Sequence, residues 1–571
     1  MKKTFLLSCL MLAAMPVMAA YTGHVYVDKN KNGVFDQSEK PLAGIKVSDG
    51  LNVVETAADG SFTLPGHERE RFIFITTPSG YKTFNRHYHK IEKKQSGYDF
   101  GLIPYSGRIR KDGSHRYIHI TDTEIFNTEN HADWVNNVHD YARNEQAAFI
   151  IHTGDICYEK GLKAHIKLMN TENMDCPVFY CIGNHDLVKG KYGEELFESI
   201  YGPVYYSFDA GNVHYVVTPM PGGDHAPGYT SDDVCRWLKN DLAHIRPGTP
   251  VVVFNHDLLT YEDTFIFKSK NAGSINLNEY NLKAWVYGHW HINYMKKQGD
   301  VYSVCTSSLD KGGIDHSTTA FRVMHVDSKG DFTSELRYTY LDKNICIASP
   351  AGVMASGVLP VAVNVYSSVS PVREVLYTCL ADGKPVLKNK RLLQSTDWSW
   401  NGELPLSHKY VGKELTLRVT ARFNNGEIAE AESNFICRTE KTVPLFSADW
   451  DNLSGNAKHS APVSAPLNLP LQLAWTNNVG ANLYMTSPLI HKGKVIVASV
   501  DEDLKGAGHV YALNGKDGTI LWSCPVRNSI KNSIAVDSDI VFAQDAQGFL
   551  YAIDTETGKL CWEKQLPVNG L

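Results

Sequence analysis

Paired cysteines, basic tracts and a second long apolar run are all missing from this chain of 571 residues. Its cysteines are scattered with no C-x-x-C pair, which leaves neither a zinc knuckle nor a dense disulfide framework. Without a Lys/Arg-rich stripe, and with a formal charge of −6, a nucleic-acid scaffold is not favoured. Beyond the first 20 residues no apolar run is long enough to suggest a transmembrane anchor. What remains is ordinary for a soluble protein, 43% hydrophobic and 21% charged, and too long for one core.

Residues 1–20 carry two lysines, an apolar stretch and a small-residue end, the pattern of a secretory signal peptide cut after Ala19 or Ala20. The expected location is therefore secreted or periplasmic. Losing Lys2 and Lys3 leaves 54 basic against 62 acidic residues, a charge of −8. Export permits disulfides, and Cys379 with Cys437 is a conceivable pair in one domain.

Four regions follow the leader. Residues 21–105 alternate apolar and polar positions between turns (HVYVD, GSFTL, RFIFITT) and read as an N-terminal β-sandwich. Within it, Asp28, Asn30, Asn32, Val34, Asp36 and Glu39 stand at the spacing of a calcium loop, with Gly33 at its sixth place. The flanks look like strands, so the loop resembles those of secreted repeat β-domains rather than a helix–loop–helix; an Asn/Gly surface turn is the competing reading. Residues 112–342 mix strand-like runs with helical ones, such as HADWVNNVHDYARNEQ and SDDVCRWLKNDLAHI, and read as an α/β layer domain. Residues 346–440 return to short β runs and suggest an immunoglobulin- or fibronectin-like sandwich. In 444–571, HVYALNGKDGTILW recurs as FLYAIDTETGKLCW, with Tyr511 and Tyr551, and Trp522 and Trp562, each 40 residues apart. That period signals propeller blades. The repeats resemble the PQQ-like propeller family but supply only two to three blades, so the chain is expected to be cut short or to need help in closing. No quinone site is implied; a glycan or protein partner could dock on the propeller.

The chemistry lies in five polar clusters, each after an apolar run: Asp122-Thr-Glu124, Gly154-Asp155, Gly183-Asn184-His185-Asp186, Asn255-His256-Asp257 and Gly288-His289-Trp290-His291. Such runs read as buried strands, and their ends can gather distant side chains at a sheet edge. Asp, Asn and His are metal ligands, and phosphoester cleavage needs an activated water and charge neutralisation, which two metals supply together. His289 and His291 are expected on an extended strand end with Trp290 turned elsewhere.

In this order the clusters resemble the calcineurin-like metallophosphoesterases over residues 112–342. The fold implied is an α/β core of two stacked sheets flanked by helices, set between all-β sandwiches and followed by a partial propeller. The resemblance implies that Asp122 and His291 bind one metal and that Asn184, His256 and His289 bind a second, with Asp155 bridging. It further implies that His185 assists the leaving oxygen, oriented by Asp186. Glu124 departs from the family, which commonly has His there; a Glu oxygen can reach the same metal, adding a negative charge that favours manganese, iron or magnesium over zinc. The expected function is an exported enzyme hydrolysing phosphomonoesters or phosphodiesters by attack of a hydroxide held between two divalent or trivalent metals. The alternative is a catalytically degenerate binding protein working through its propeller and sandwiches. His119, His152 and His214 are read as packed or structural, while His225 and His316 sit in Gly/Asp-rich loops near the expected cleft without an assigned role.

Overall fold

The computed structural model describes residues 20–439, 448–460, 473–484 and 486–567; residues 1–19 of the expected leader lie outside them. No helix among the described residues is long and apolar enough to cross a membrane.

Two small sheets form the N-terminal sandwich, one built on Tyr21–Val27 and Phe100–Pro104, the other on Lys46–Ser48 and Phe72–Ile75. Their alternating apolar positions meet in a core of Val25, Phe62, Ile73 and Phe100. The Asp28–Glu39 segment is the loop of a hairpin closed by the pairing of Val27 with Lys40.

The central α/β region stacks two sheets, so the five clusters converge from a pair of sheets and not from a single edge. In the first, Val178–Tyr180, Phe149–His152 and His115–Ile120 run parallel, and Ala320–Val326 joins antiparallel. In the second, Val213–Val217, Val251–Phe254, Leu282–Tyr287 and Val301–Cys305 run parallel. Strand periodicity sorts the first sheet's side chains between two cores. Tyr117, Phe149 and Ile151 pack inward against Tyr215, Phe254 and Val286 of the second sheet. Ile118, Ile120 and Ile150 face Trp134, Val138 and Tyr141 of the Ala132–Asn144 helix. That helix, and Ser231–Ala243 with its Thr230–Asp233 capping box, lie where the 3.6-residue periodicity placed them.

A second sandwich follows, with Val361, Val363, Leu417 and Val419 in its core. Cys379 and Cys437 are both buried there as free thiols, so the conceived disulfide is not formed. Beyond it stand two four-stranded antiparallel sheets, Leu489–Pro525 and Ala535–Gln565. The repeated tryptophans join blade to blade. Trp475 donates its indole N–H to the Gly515 carbonyl, and Trp522 repeats the contact with Thr555. These blades pack on the α/β region through buried cations. Lys531 reaches the Asn293 carbonyl and Asp315 at 2.6 Å each, and Arg322 pairs with Asp503 at 2.6 Å.

Candidate metal centre

Each cluster sits just past a strand end, where the chain must turn sharply while keeping polar side chains directed inward. Asp122, Glu124, Asp155, His289 and His291 all have left-handed backbone, with φ of 50°, 43°, 55°, 64° and 51°. Such conformations are costly for non-glycine residues and gather where a site needs them. The two histidines are therefore on a tight turn, not on the extended end the sequence suggested. Trp290 between them is turned away as expected, its indole N–H donating to Asp257 at 3.1 Å. Close approach explains the glycines of the motifs. A Cβ on Gly183 would lie 2.2 Å from Asp155 Oδ1, and one on Gly288 would lie 2.6 Å from Asp122 Oδ2.

The gathered atoms form one continuous cluster. Asp155, His256 and His289 offer ligand atoms all within 4.8 Å of one another. Asp155 Oδ2 stands 3.1 Å from His256 Nε2, which is also 3.9 Å from Asp122 Oδ1. On the other side of Asp122, His291 Nε2 lies 3.3 Å away and 3.6 Å from Glu124 Oε1. Asn184 adjoins Asp155, whose Oδ1 accepts the next backbone N–H, that of His185, at 3.0 Å.

The donor set fits metal ions. Three buried polar atoms here make no well-directed hydrogen bond: Asp122 Oδ1 and His256 Nε2 have only the ion-pair contacts above, and Asn184 Oδ1 has no partner. Buried polar groups are rarely left so, and each belongs to a residue of metal-ligand type. His256 is oriented by its other nitrogen, Nδ1, held 2.7 Å from the Thr153 carbonyl, as a ligating imidazole commonly is. Burial opposes charge on His256, but the Asp155 carboxylate outweighs it and the imidazolium is pushed up to about 10.

Two expected details change. Asp186 does not touch His185; its oxygens accept the backbone N–H groups of Cys157 at 2.8 Å and Gly183 at 2.9 Å, so it braces the loops. His185 Nδ1 is held instead by Asp224, at 2.8 Å, with the Tyr158 hydroxyl at 3.4 Å. Burial works against charge on His185, yet Asp224 and Asp155 raise its pKa. Nor is the charge of Glu124 unbalanced, since Lys311 Nζ sits 2.6 Å from its Oε2. Sequence reading passed over both: the PGGDHAPG and KGGIDHS loops drew notice for His225 and His316, while Asp224 and Lys311 face the site. His119 and His152 are packed in the core as expected, His119 between Thr153 and Thr306 hydroxyls. His214 is held between Asp209 and Asp241.

This constellation agrees with what the chain resembles. Residues 115–293 match the calcineurin-like phosphoesterase family model, and residues 29–104 the model for the N-terminal part of such proteins. Residues 115–293 form a calcineurin-like phosphoesterase domain. Farther on, residues 472–570 of the chain match the model of outer membrane protein assembly factor BamB. Purple acid phosphatase 13 of Arabidopsis thaliana is 26% identical over 215 residues, 35% of this chain and 36% of its own length. The chain thus spans about a third of that curated relative. Among solved structures, a conserved Streptococcus pneumoniae protein described as a predicted phosphoesterase is 10% identical, covering 40% of this chain and 98% of its own at a TM-score of 0.19. BamB from Moraxella catarrhalis is 11% identical, covering 44% and 59% at 0.13. Overlaps that low carry no argument.

Proposed function

We propose that the protein is an exported metal-dependent phosphoesterase whose phosphoesterase domain is carried between β-domains. The observation that carries this reading is the buried trio Asp122 Oδ1, Asn184 Oδ1 and His256 Nε2, gathered among carboxylates and imidazoles without a well-directed hydrogen bond. Asp122, Glu124 and His291 would hold one cation; Asn184, His256 and His289 would hold the other; Asp155 would serve both. Two such cations supply an activated water and neutralise charge on the phosphoryl oxygens. Thr153 orients His256, and Asp186 ties the loops carrying Asp155 and Asn184 together. His185, a third exposed and held by Asp224, is the residue placed to donate a proton to the leaving oxygen. Lys311 offsets the carboxylate that Glu124 introduces in place of histidine. The Glu–Lys pair thereby restores the charge balance a neutral histidine would give, which supports retained activity over a degenerate site. The N-terminal loop at Asp28–Glu39 is proposed as a separate calcium site.

The test is metal analysis of purified protein alongside hydrolysis of phosphomonoesters and phosphodiesters with added manganese. About two metals per chain and turnover support the reading; a metal-free, inert protein that retains a glycan or protein partner through residues 444–571 would replace it with the binding-protein alternative.

A further inference from the structure

Two exposed aromatic rings beside the site belong to no core, although the Tyr158 hydroxyl reaches His185 Nδ1 at 3.4 Å. Phe126 is 56% exposed and Tyr158 is 43% exposed, yet backbone hydrogen bonds hold the chain at Tyr158 and two residues before Phe126. The Tyr158 N–H donates to the His185 carbonyl at 3.1 Å, and Glu124 N–H donates to the Asp155 carbonyl at 3.1 Å. Gly161, one turn into the Tyr158–Leu168 helix, lets the loop before Phe126 approach so closely that a Cβ there would stand 2.4 Å from the Ile125 carbonyl. Rigid backbone therefore presents both rings to solvent.

Their arrangement has a direction. The Tyr158 ring centroid lies 5.3 Å from that of His185, and the Phe126 ring lies 6.3 Å beyond it, only 15° from parallel. The strip begins at the residue placed to protonate the leaving oxygen and runs outward. The two rings thus flank the place where the substituent on that oxygen would emerge. Aromatic faces cost little entropy to hold in place and favour other flat rings by stacking. Polar leaving groups such as glycerol gain nothing from them.

We infer that Tyr158 and Phe126 form a subsite for a planar aromatic ring on the leaving group, so that the substrates are ring-bearing phosphoesters, either nucleoside or aryl. This rests on the phosphoesterase reading and deepens it. Cleavage is hydrolysis: water's oxygen bonds to phosphorus and gives up a proton that restores His185, the P–O bond to the ring-bearing alcohol breaks, and that alcohol leaves with the proton held at His185.

The test compares wild type with Phe126→Ser, Phe126→Leu and Tyr158→Ala in the full, manganese-loaded chain, on a nucleoside monophosphate, 4-nitrophenyl phosphate, n-octyl phosphate and glycerol phosphate. Taking the wild-type-to-variant ratio of kcat/KM for each substrate cancels intrinsic leaving-group reactivity. Phe126→Ser, which leaves the Tyr158–His185 contact intact, should lose about tenfold on ring-bearing esters and under about twofold on glycerol phosphate, the scale of ring stacking. Tyr158→Ala should show the same ring preference on top of a loss common to all substrates. The ester showing the larger ratio names the source of the ring. Equal losses on all substrates would overturn the subsite. Equal losses on octyl phosphate, with Phe126→Leu behaving as wild type, would replace ring recognition by general apolar contact and also overturn it. Calorimetric binding of phenylphosphonate against methylphosphonate reads the same preference without turnover. If no ester is cleaved, the phosphoesterase reading fails while this titration still decides the subsite.

Discussion

Two stretches of this chain spell metal sites, and they are built differently. In the Asp28–Glu39 loop the oxygens are occupied by the loop itself. Asp28 accepts from Asn32 and Gly33, Glu39 accepts from Lys29 and Asp36, and Asp36 accepts from both Asn30 and Asn32 side chains. Val34 is 59% exposed, and none of the loop's side-chain atoms is buried without a partner. At the five-cluster site the reverse holds: rigid strand ends bring carboxylates and imidazoles together and leave buried atoms unsatisfied. A local loop can turn its oxygens on itself or on an ion, so its motif reads alike in either case. A site assembled from two sheets has no such refuge, and its unsatisfied atoms are of the kinds that bind a cation.

The largest effect that could break this contrast comes from Asp155→Asn. Turnover of any phosphoester should fall on the order of a thousandfold while the fold survives, because the carboxylate proposed to serve both cations is lost. Retained activity would remove Asp155 from the centre. Chelator treatment comes next: dialysis against EDTA should abolish hydrolysis, and added manganese should restore it, with metal content measured at each stage. Lys311→Met sharpens the account of Glu124. With its counter-charge gone, Glu124 should hold its cation more tightly against a competing chelator, and kcat should drop about fivefold to tenfold as that cation becomes a weaker Lewis acid. Unchanged retention and rate would show that the ion pair is decorative. Smallest is the effect of calcium on the N-terminal loop: millimolar calcium should raise the first melting transition by a few degrees, and Asp28→Ala should erase the shift. A calcium-independent transition in the parent protein would reduce the motif to a surface turn.

Legibility followed the range of the interaction that fixes each feature. The Ala132–Asn144 and Ser231–Ala243 helices were readable because amphipathic spacing and capping are local. The propeller repeat was readable from tryptophan spacing, and the indole-to-carbonyl contacts explain why that spacing recurs. The residues at the centre were readable as a set because each follows its own strand. Their partners were not. Asp224 lies 39 residues from His185, and Lys311 lies 187 from Glu124, each in a Gly-rich loop without a motif.

The order of strands, the helices, the repeat and the chemical types of the five clusters were fixed by the chain's own pattern, because hydrophobic periodicity and ligand identity are properties of short segments. Only the packed structure decided that Asp224 rather than Asp186 pairs with His185, that Lys311 neutralises Glu124, and that Phe126 and Tyr158 line up outward from the centre. Those choices depend on where loops from two sheets come to rest against one another, which spacing along the chain does not encode.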